Sequence, residues 1–377
     1  MPSVPLRCSS LILGVLLVSG AQASVATQQD PQASYRPRPK AILVPAPTLR
    51  LPGEVDSNSP ALWSDPFGDP RLHILTSIAG APLGWSGSAL EAMDGPFETS
   101  IVPWPTGGNW LEGVVADAED TWYGYYHNER RSASCGDEGA YLTPRIGAAR
   151  SRDHGKTWDD LGVILEAPSD TDDCGSWNTF FIGGVGDFSV MLDPDEQHVY
   201  FYYSQYAGGM ESQGIAVARL AWADRDEPAG KIRVFADNDW VPPVYVEEST
   251  DPLAPGRWAY PVAAPVFPAK DSWHDGDEKV DAFWGPSIHW NTSIEMYVML
   301  LNRASDIRWT QEGIYVSYAA RLDDPLAWSA PKRLLSGGKW YPQVLGLEAG
   351  FGTDKVAGDS ARFFMSGVSD YLIKFVR

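Results

Sequence analysis

Trp110-Leu-Glu-Gly-Val-Val115, followed after a short break by Thr121-Trp-Tyr-Gly-Tyr-Tyr-His127, is the stretch that decides the fold. A polar or aromatic residue opens an apolar strand, and a second strand then runs into a cluster of aromatics. The unit recurs. Its other openings are Asp56-Ser-Asn-Ser-Pro-Ala-Leu-Trp63, Gly186-Asp-Phe-Ser-Val-Met-Leu192, Trp284-Gly-Pro-Ser-Ile-His-Trp290 and Trp340-Tyr-Pro-Gln-Val-Leu345. The matching second strands are Leu72-His-Ile-Leu-Thr-Ser77, Val199-Tyr-Phe-Tyr-Tyr-Ser204, Met296-Tyr-Val-Met-Leu-Leu-Asn302 and Ala361-Arg-Phe-Phe-Met-Ser366. Short β-rich units repeating at intervals of tens of residues predict a propeller. Five openings predict five blades in an all-β chain. Helical periodicity is nearly absent, and Gly and Pro punctuate runs of Val, Tyr, Phe and Trp. The longest step between openings carries Asp224-Arg-Asp-Glu-Pro228 and Trp273-His-Asp-Gly-Asp-Glu278, which read as polar loops.

Outward from the repeats, residues 1–23 read as a signal peptide. Arg7 precedes the apolar run Leu11–Val18, and Ala21-Gln-Ala23 supplies the cleavage pattern. No other segment is apolar for long enough to predict a membrane span, so the mature chain is expected to be secreted or periplasmic. Residues 24–50, rich in Gln, Pro, Ala and Ser, read as a linker, with a possible ring-closing strand in Lys40-Ala-Ile-Leu-Val44 and Leu49-Arg-Leu51. Residues 51–377 form the expected propeller. Cys8 leaves with the signal peptide, and Cys135 and Cys174 remain as an even pair in an exported chain, the setting for a disulfide. The formal charge of −20 excludes the basic footprint that nucleic acid or an anionic membrane requires. Sixteen Trp and sixteen Tyr offer faces on which sugar rings stack, beside their ordinary use as core. A monomer acting on carbohydrate is expected.

Ser151-Arg-Asp-His-Gly-Lys-Thr-Trp158 fits the Asp-box pattern S-x-D-x-G-x-T-W. Its chemistry is that of a hairpin turn: Asp153 accepts backbone N–H groups, Gly155 supplies positive φ and Trp158 packs beneath. The motif resembles those of sialidase-like propellers, where it is structural. Ser317-Tyr-Ala-Ala-Arg-Leu-Asp-Asp-Pro-Leu-Ala-Trp328 is similar to the looser hairpins of arabinanase-like glycosidases. As architecture, the chain resembles the five-bladed arabinanase and β-xylosidase propellers, as a distant and separate family. That resemblance implies a glycosidase with three channel carboxylates: a base, a residue that tunes pKa, and an acid. Asp56 fits the base by its place before the first apolar strand. Asp187, in Gly-Asp-Phe-Ser-Val, is similar to the third-blade Asp. No Glu opens the fourth blade here, and Glu112 is the substitute.

The residues make the same case independently. Asp56, Glu112 and Asp187 sit in openings that a propeller gathers at one channel, and paired carboxylates perform glycoside hydrolysis. Glu112 interrupts an apolar run, where an unpaired acid would cost several kcal/mol. Alternation along a strand predicts that Asn58 faces the channel with Asp56, Trp110 with Glu112, and Tyr341 with Gln343. His127 and Glu129 share a face at the end of their strand. His289 is the second candidate proton donor, and Trp284, Trp340 and Tyr341 are candidate sugar platforms. Each of these also has a structural reading, as a core histidine, a core aromatic or a turn-capping acid. No sequence spacing predicts a metal site, and no cofactor is required, although a structural Ca²⁺ is compatible. A hydrolase of a neutral glycan, inverting, is the leading reading. A glycan-binding propeller, a sialidase-like enzyme built on Arg145, Arg219 and Arg303, and a polysaccharide lyase are the others.

Overall fold

The computed structural model describes residues 38–65, 68–132, 134–135, 142–247, 256–276 and 278–377. The predicted signal peptide, and the linker before residue 38, lie outside these. Among the described residues, five largely antiparallel sheets of four or more strands follow one another along the chain, with the two-stranded ribbon Val244–Val246 and Arg257–Ala259 between the third and the fourth. Their innermost long strands are Ala61–Ser64, Gly108–Ala116, Val185–Leu192, Lys279–Asn291 and Gln343–Gly346 in blades 1 to 5. The fold is a five-bladed β-propeller.

Blade 5 closes the ring with the first and the last of the described strands. The strand Lys40–Arg50 pairs antiparallel with the C-terminal strand Val368–Val376, from Lys40 opposite Val376 to Arg50 opposite Val368. The edge of the last sheet is thereby covered by the first strand of the domain.

Between blades the core is aromatic and β-branched. Tyr125, Phe188, Val190, Phe201 and Val234 fill the interface of blades 2 and 3. There Gly113 brings the inner strands so close that a Cβ would lie 2.5 Å from Val190 Cγ2. Adjacent inner strands therefore converge on a narrow channel.

The Asp box is the hairpin between the third and fourth strands of blade 2, Leu142–Ser151 and Thr157–Leu165. Asp153 accepts the Thr157 N–H at 2.8 Å, Gly155 has φ +82°, and the Trp158 indole is buried while donating to Gly155 O at 3.0 Å. In blade 4, Trp328 takes the corresponding place, donating to Tyr202 Oη at 3.0 Å.

Two sequence expectations need correction. Asp56–Pro60 is not strand: the inner strand of blade 1 begins at Ala61. The long step before blade 4 is not simply polar loop. It extends blade 3 with Arg233–Ala236 and Asp239–Val241, and it buries Trp273 and His274. Those two rings are apolar or hydrogen-bonded ballast for the site face, and the polar residues around them had hidden this.

Candidate active site

The channel-facing acids are presented by β-bulges. In blade 2, Leu111 pairs with Tyr126 and Gly113 with Tyr125, so Glu112 is the extra residue. In blade 3, Gly186 pairs with Ser204 and Phe188 with Tyr203, so Asp187 is the extra residue, at φ +41°. Blade 4 breaks register between Trp284 and Ser287, with Gly285 at φ +54°. A bulge takes one residue out of the ladder, bends the strand and re-aims a side chain. Positive φ at a non-glycine residue is uncommon, and it recurs at Tyr341 (φ +55°) before the inner strand of blade 5. The backbone departs from regular sheet where the acids converge.

These departures line a small cavity of about 60 Å³. Asp56, Glu112, His127, Glu129 and Asp187 form its polar wall. Trp110, Phe180, Phe181, Trp309, Trp340 and Tyr341 form the aromatic one. Among these lining residues there is no Lys or Arg.

Each polar group is held by named partners. Glu112, 2% exposed, accepts the Phe188 N–H at 2.6 Å through Oε2. The bulge of blade 3 therefore binds the acid of blade 2. Asp187, 4% exposed, accepts hydroxyl bonds from Tyr206 and, at 3.2 Å, from Tyr341. Its own N–H donates to His127 Nδ1 at 3.0 Å. That bond requires an unprotonated Nδ1 and places the His127 proton on Nε2, which lies 3.3 Å from Glu129 Oε1. Asp56 is half-buried and anchored by its N–H to Ser77 O at 2.9 Å.

Environment separates the acids. Burial, then Asp187 and Glu129, raise the Asp56 carboxyl to about 6, against smaller opposition from His127 and Trp110. Burial raises Glu112 to about 8, with Asp187 and Asp56 adding to it and His127 and the Phe188 N–H opposing. Burial also raises Asp187, while His127 and the two tyrosine hydroxyls favour its charged form. At His127, burial disfavours the cation, but Glu129, Asp187 and Glu112 outweigh it and bring the ring to about 9. The Asp187 N–H bond opposes that protonation at Nδ1, and we place the neutral Nε2–H form in this arrangement on the strength of that geometry. With protons shared among neighbours, the group titrates as a cluster.

The fold brings together Asp56, Glu112, Asp187, His127, Glu129, Trp110, Trp340 and Tyr341 from the sequence expectations. Four others fall elsewhere. Asn58 is buried and donates to Phe188 O at 2.8 Å and Pro286 O at 2.9 Å, so it ties the segment of Asp56 to the bulges of blades 3 and 4. Gln343 accepts the Ser59 N–H at 2.7 Å and donates to Ser59 O at 3.1 Å, anchoring the same segment from blade 5. Trp284 is fully buried behind Trp309, Trp340 and Tyr341, backing the aromatic wall without reaching the cavity. His289 is also fully buried, packs on Phe375, and is pushed down to about 3 by burial and then Lys355. Such a neutral ring outside the cavity is not a proton donor for it. The sequon Asn291-Thr-Ser293 is hidden too, since Asn291 is 0% exposed on an inner strand.

Sequence reasoning missed Phe180, Phe181, Trp309 and Tyr206. The first two lie in the blade 2–3 connection, which docks onto the blade 4 hairpin: Thr179 donates to Ile307 O at 3.1 Å and Trp309 Nε1 to Asn178 Oδ1 at 3.0 Å. The Cys135–Cys174 disulfide, with Cα atoms 5.3 Å apart, braces that connection. Trp309 sits at φ +63° in a turn, a strain that sequence does not reveal. The doublet Phe180-Phe181, outside any repeat and close after Cys174, was the signal available.

Glu112, His127 and Asp187 each bring a ligand atom within 4.8 Å of one another, a grouping that sequence spacing did not predict. Some of their lone pairs are already engaged. His127 Nδ1 holds the Asp187 N–H, Glu112 Oε2 the Phe188 N–H, and Asp187 two tyrosine hydroxyls. A cation bound at His127 Nδ1 would have to break its bond to the Asp187 N–H, while the carboxylates keep acceptor capacity beyond the bonds named. The three arginines of the sialidase-like reading are scattered. Arg303 binds Asp281 and Tyr315, Arg219 stacks over Trp240, and Arg145 binds Asn128. None lines the cavity.

No family model matches the chain, and no curated protein matches it in sequence. Solved structures of similar shape include an endo-arabinase from Bacteroides thetaiotaomicron (10% identity, TM-score 0.47, covering 87% of this chain and 96% of that one). The catalytic domain of a Coprinopsis cinerea GH62 α-L-arabinofuranosidase (7%, 0.48, 89% and 97%) is another. A third is an N-acetylgalactosamine deacetylase from F. plautii (12%, 0.45, 88% and 94%). Likeness at this level shows the fold and assigns none of their activities to this chain.

Proposed function

We propose that the protein is an exported glycoside hydrolase that cleaves a neutral sugar unit from an oligo- or polysaccharide with inversion. The observation that carries this reading is the pairing of Asp56 and Glu112, two carboxyls of unlike environment in one aromatic-walled cavity. Near neutral pH Asp56 is ionised and can take a proton from water, while Glu112 retains a proton for the leaving oxygen. Asp187, buried beside Glu112, raises the Glu112 carboxyl and so favours its protonated form. An inverting pair stands about 6.5–9.5 Å apart to admit water. Glu112 and Asp187 are too close for that, so the water-spaced pair must include Asp56.

The single composite cavity supports catalysis over a lectin, which repeats similar polar openings blade by blade. Incubation with a panel of neutral glycans, followed by measurement of released reducing sugar, tests the reading. Turnover is expected, and Glu112→Gln should lower it by at least about a hundredfold. Binding without turnover across the panel would favour the glycan-binding propeller instead.

A further inference from the structure

The connection between blades 2 and 3 reaches across one side of the cavity. The Ile182 N–H donates to Leu142 O of blade 2 at 3.1 Å, and the Thr179 N–H donates to Ile307 O of the blade 4 hairpin at 3.1 Å. The phenylalanine doublet fills the span between these anchors. Phe181 meets His127, Tyr206 and Trp309, with ring centroids 5.8, 5.1 and 5.7 Å apart. Phe180 meets Trp309 and Trp340 edge to face at 5.5 and 5.8 Å. Two consecutive side chains thus join rings carried by blades 2, 3, 4 and 5.

Burial describes the same one-ended shape. Glu112, His127, Phe181, Asp187, Trp309 and Tyr341 line the cavity and are all buried. The lining residues open to solvent are Phe180 and Trp340, whose rings are in edge contact, and the acids Asp56 and Glu129. A cleft that let a chain run through would need a second way out, and the aromatic side is shut by ring contacts. At about 60 Å³ the cavity also has no room for two sugar rings. The chemistry then fixes which end of a glycan can enter. Water adds to the anomeric carbon of the unit in the cavity as the bond from that carbon to the next unit's oxygen breaks. Asp56 takes a proton from the water, and Glu112 gives its proton to the departing oxygen. That oxygen belongs to the rest of the glycan, which must lie outside, so the unit inside carries no further sugar.

We propose that the protein acts on chain ends, seating one non-reducing terminal unit in a blind cavity while the remainder of the glycan leaves past Asp56 and Glu129. The proposal rests on the glycosidase reading for its chemistry, but recognition of a chain end can be measured without turnover.

The test uses neutral oligosaccharides labelled at the reducing end, linear and branched, each with and without a bulky acetal on the non-reducing terminal ring. The first product should be a monosaccharide, leaving the labelled glycan shorter by one unit, and the acetal should stop its release. Titration calorimetry on Glu112→Gln reads binding separately. There at least one free-ended oligosaccharide should bind about tenfold or more tighter than its blocked counterpart. Phe180→Ala removes an exposed ring from the closed side, so discrimination against the acetal should shrink and fragments of several units should appear. Fragments of several units as the earliest wild-type products would overturn chain-end action and leave the glycosidase reading standing. End-dependent binding without hydrolysis would keep the blind cavity and remove the glycosidase reading. Blocked and free oligosaccharides that bind alike, or bind not at all, would overturn the proposal whatever the turnover.

Discussion

At the scale of single residues, a buried acid that keeps its proton is a source of instability as pH rises. Glu112 moves from an ordinary 4.5 to about 8 in the folded protein, so the native state binds a proton that the unfolded chain has released. Stability from this group is fully present below about 4.5 and is lost as pH climbs through 8. Asp56, raised to about 6, acts in the same direction over a lower window. Melting temperature should therefore fall between pH 5 and 8, and Glu112→Gln should flatten that fall and melt higher than wild type at pH 8. An equally steep decline in the variant would mean that Glu112 is not the group concerned. Activity should follow a bell, rising through about 6 as Asp56 ionises and falling through about 8 as Glu112 deprotonates. The acids were legible in the sequence because Glu112 interrupts an apolar run and Asp56 and Asp187 stand in blade openings. His289 and Trp284 were named from their place in the fourth opening, where a bulge at Gly285-Pro286 shifts the strand by one residue and reverses its phase.

At the scale of elements, the site depends on two pieces of irregular chain. One is Asp56–Pro60, held at Asn58 by two carbonyls of other blades and at Ser59 by Gln343. Asn58→Ala strips donors from two buried carbonyls and should cost about 1–3 kcal/mol. It should also lower kcat more than it raises KM, because Asp56 loses its anchor while the aromatic wall stays. A reduced stability with kcat intact would leave Asn58 a purely structural tie. The other piece is the blade 2–3 connection bearing Phe180 and Phe181. It is pinned by the disulfide, by Ser132 to Asp172 at 2.6 Å, and by His274, which bridges Ser176 and Tyr206 O at 2.7 Å each. Opening a loop of 39 residues should cost roughly 3–4 kcal/mol in the chain-entropy model. Cys135→Ser with Cys174→Ser should accordingly melt several degrees lower and raise KM, with kcat less affected, since the acids stand on blades 1 to 3. Kinetics identical to wild type would show that the brace does not reach the aromatic wall. The sequence disclosed the cysteine pair but not what it braces, because the docking partners Asn178, Ile307 and Trp309 are joined only in three dimensions.

At the scale of the whole molecule, the count of blades was legible because each blade must bury the faces of its neighbours, which forces the same apolar and aromatic pattern to recur. Ring closure depends on more distant pairing. Lys40–Arg50 is the outermost strand of blade 5, and Ala41 and Leu43 pack on a core that includes Ile373 and Phe375. Without it the strand Val368–Val376 becomes an open edge, with unpaired N–H and C=O groups and newly exposed apolar side chains. A chain beginning at Leu51 should therefore melt markedly lower and self-associate, while keeping blades 1 to 4 and the cavity residues they carry. The defect is a missing strand rather than a damaged site, so a peptide of residues 38–51 added in trans should pair with the open edge and restore melting temperature and the monomer in proportion to its occupancy. A truncated chain that melts like the intact one would mean that the hairpin of Ser360–Met365 and Val368–Val376 holds the ring by itself. Instability that the peptide cannot relieve would place the contribution of the segment in folding and not in the closed ring.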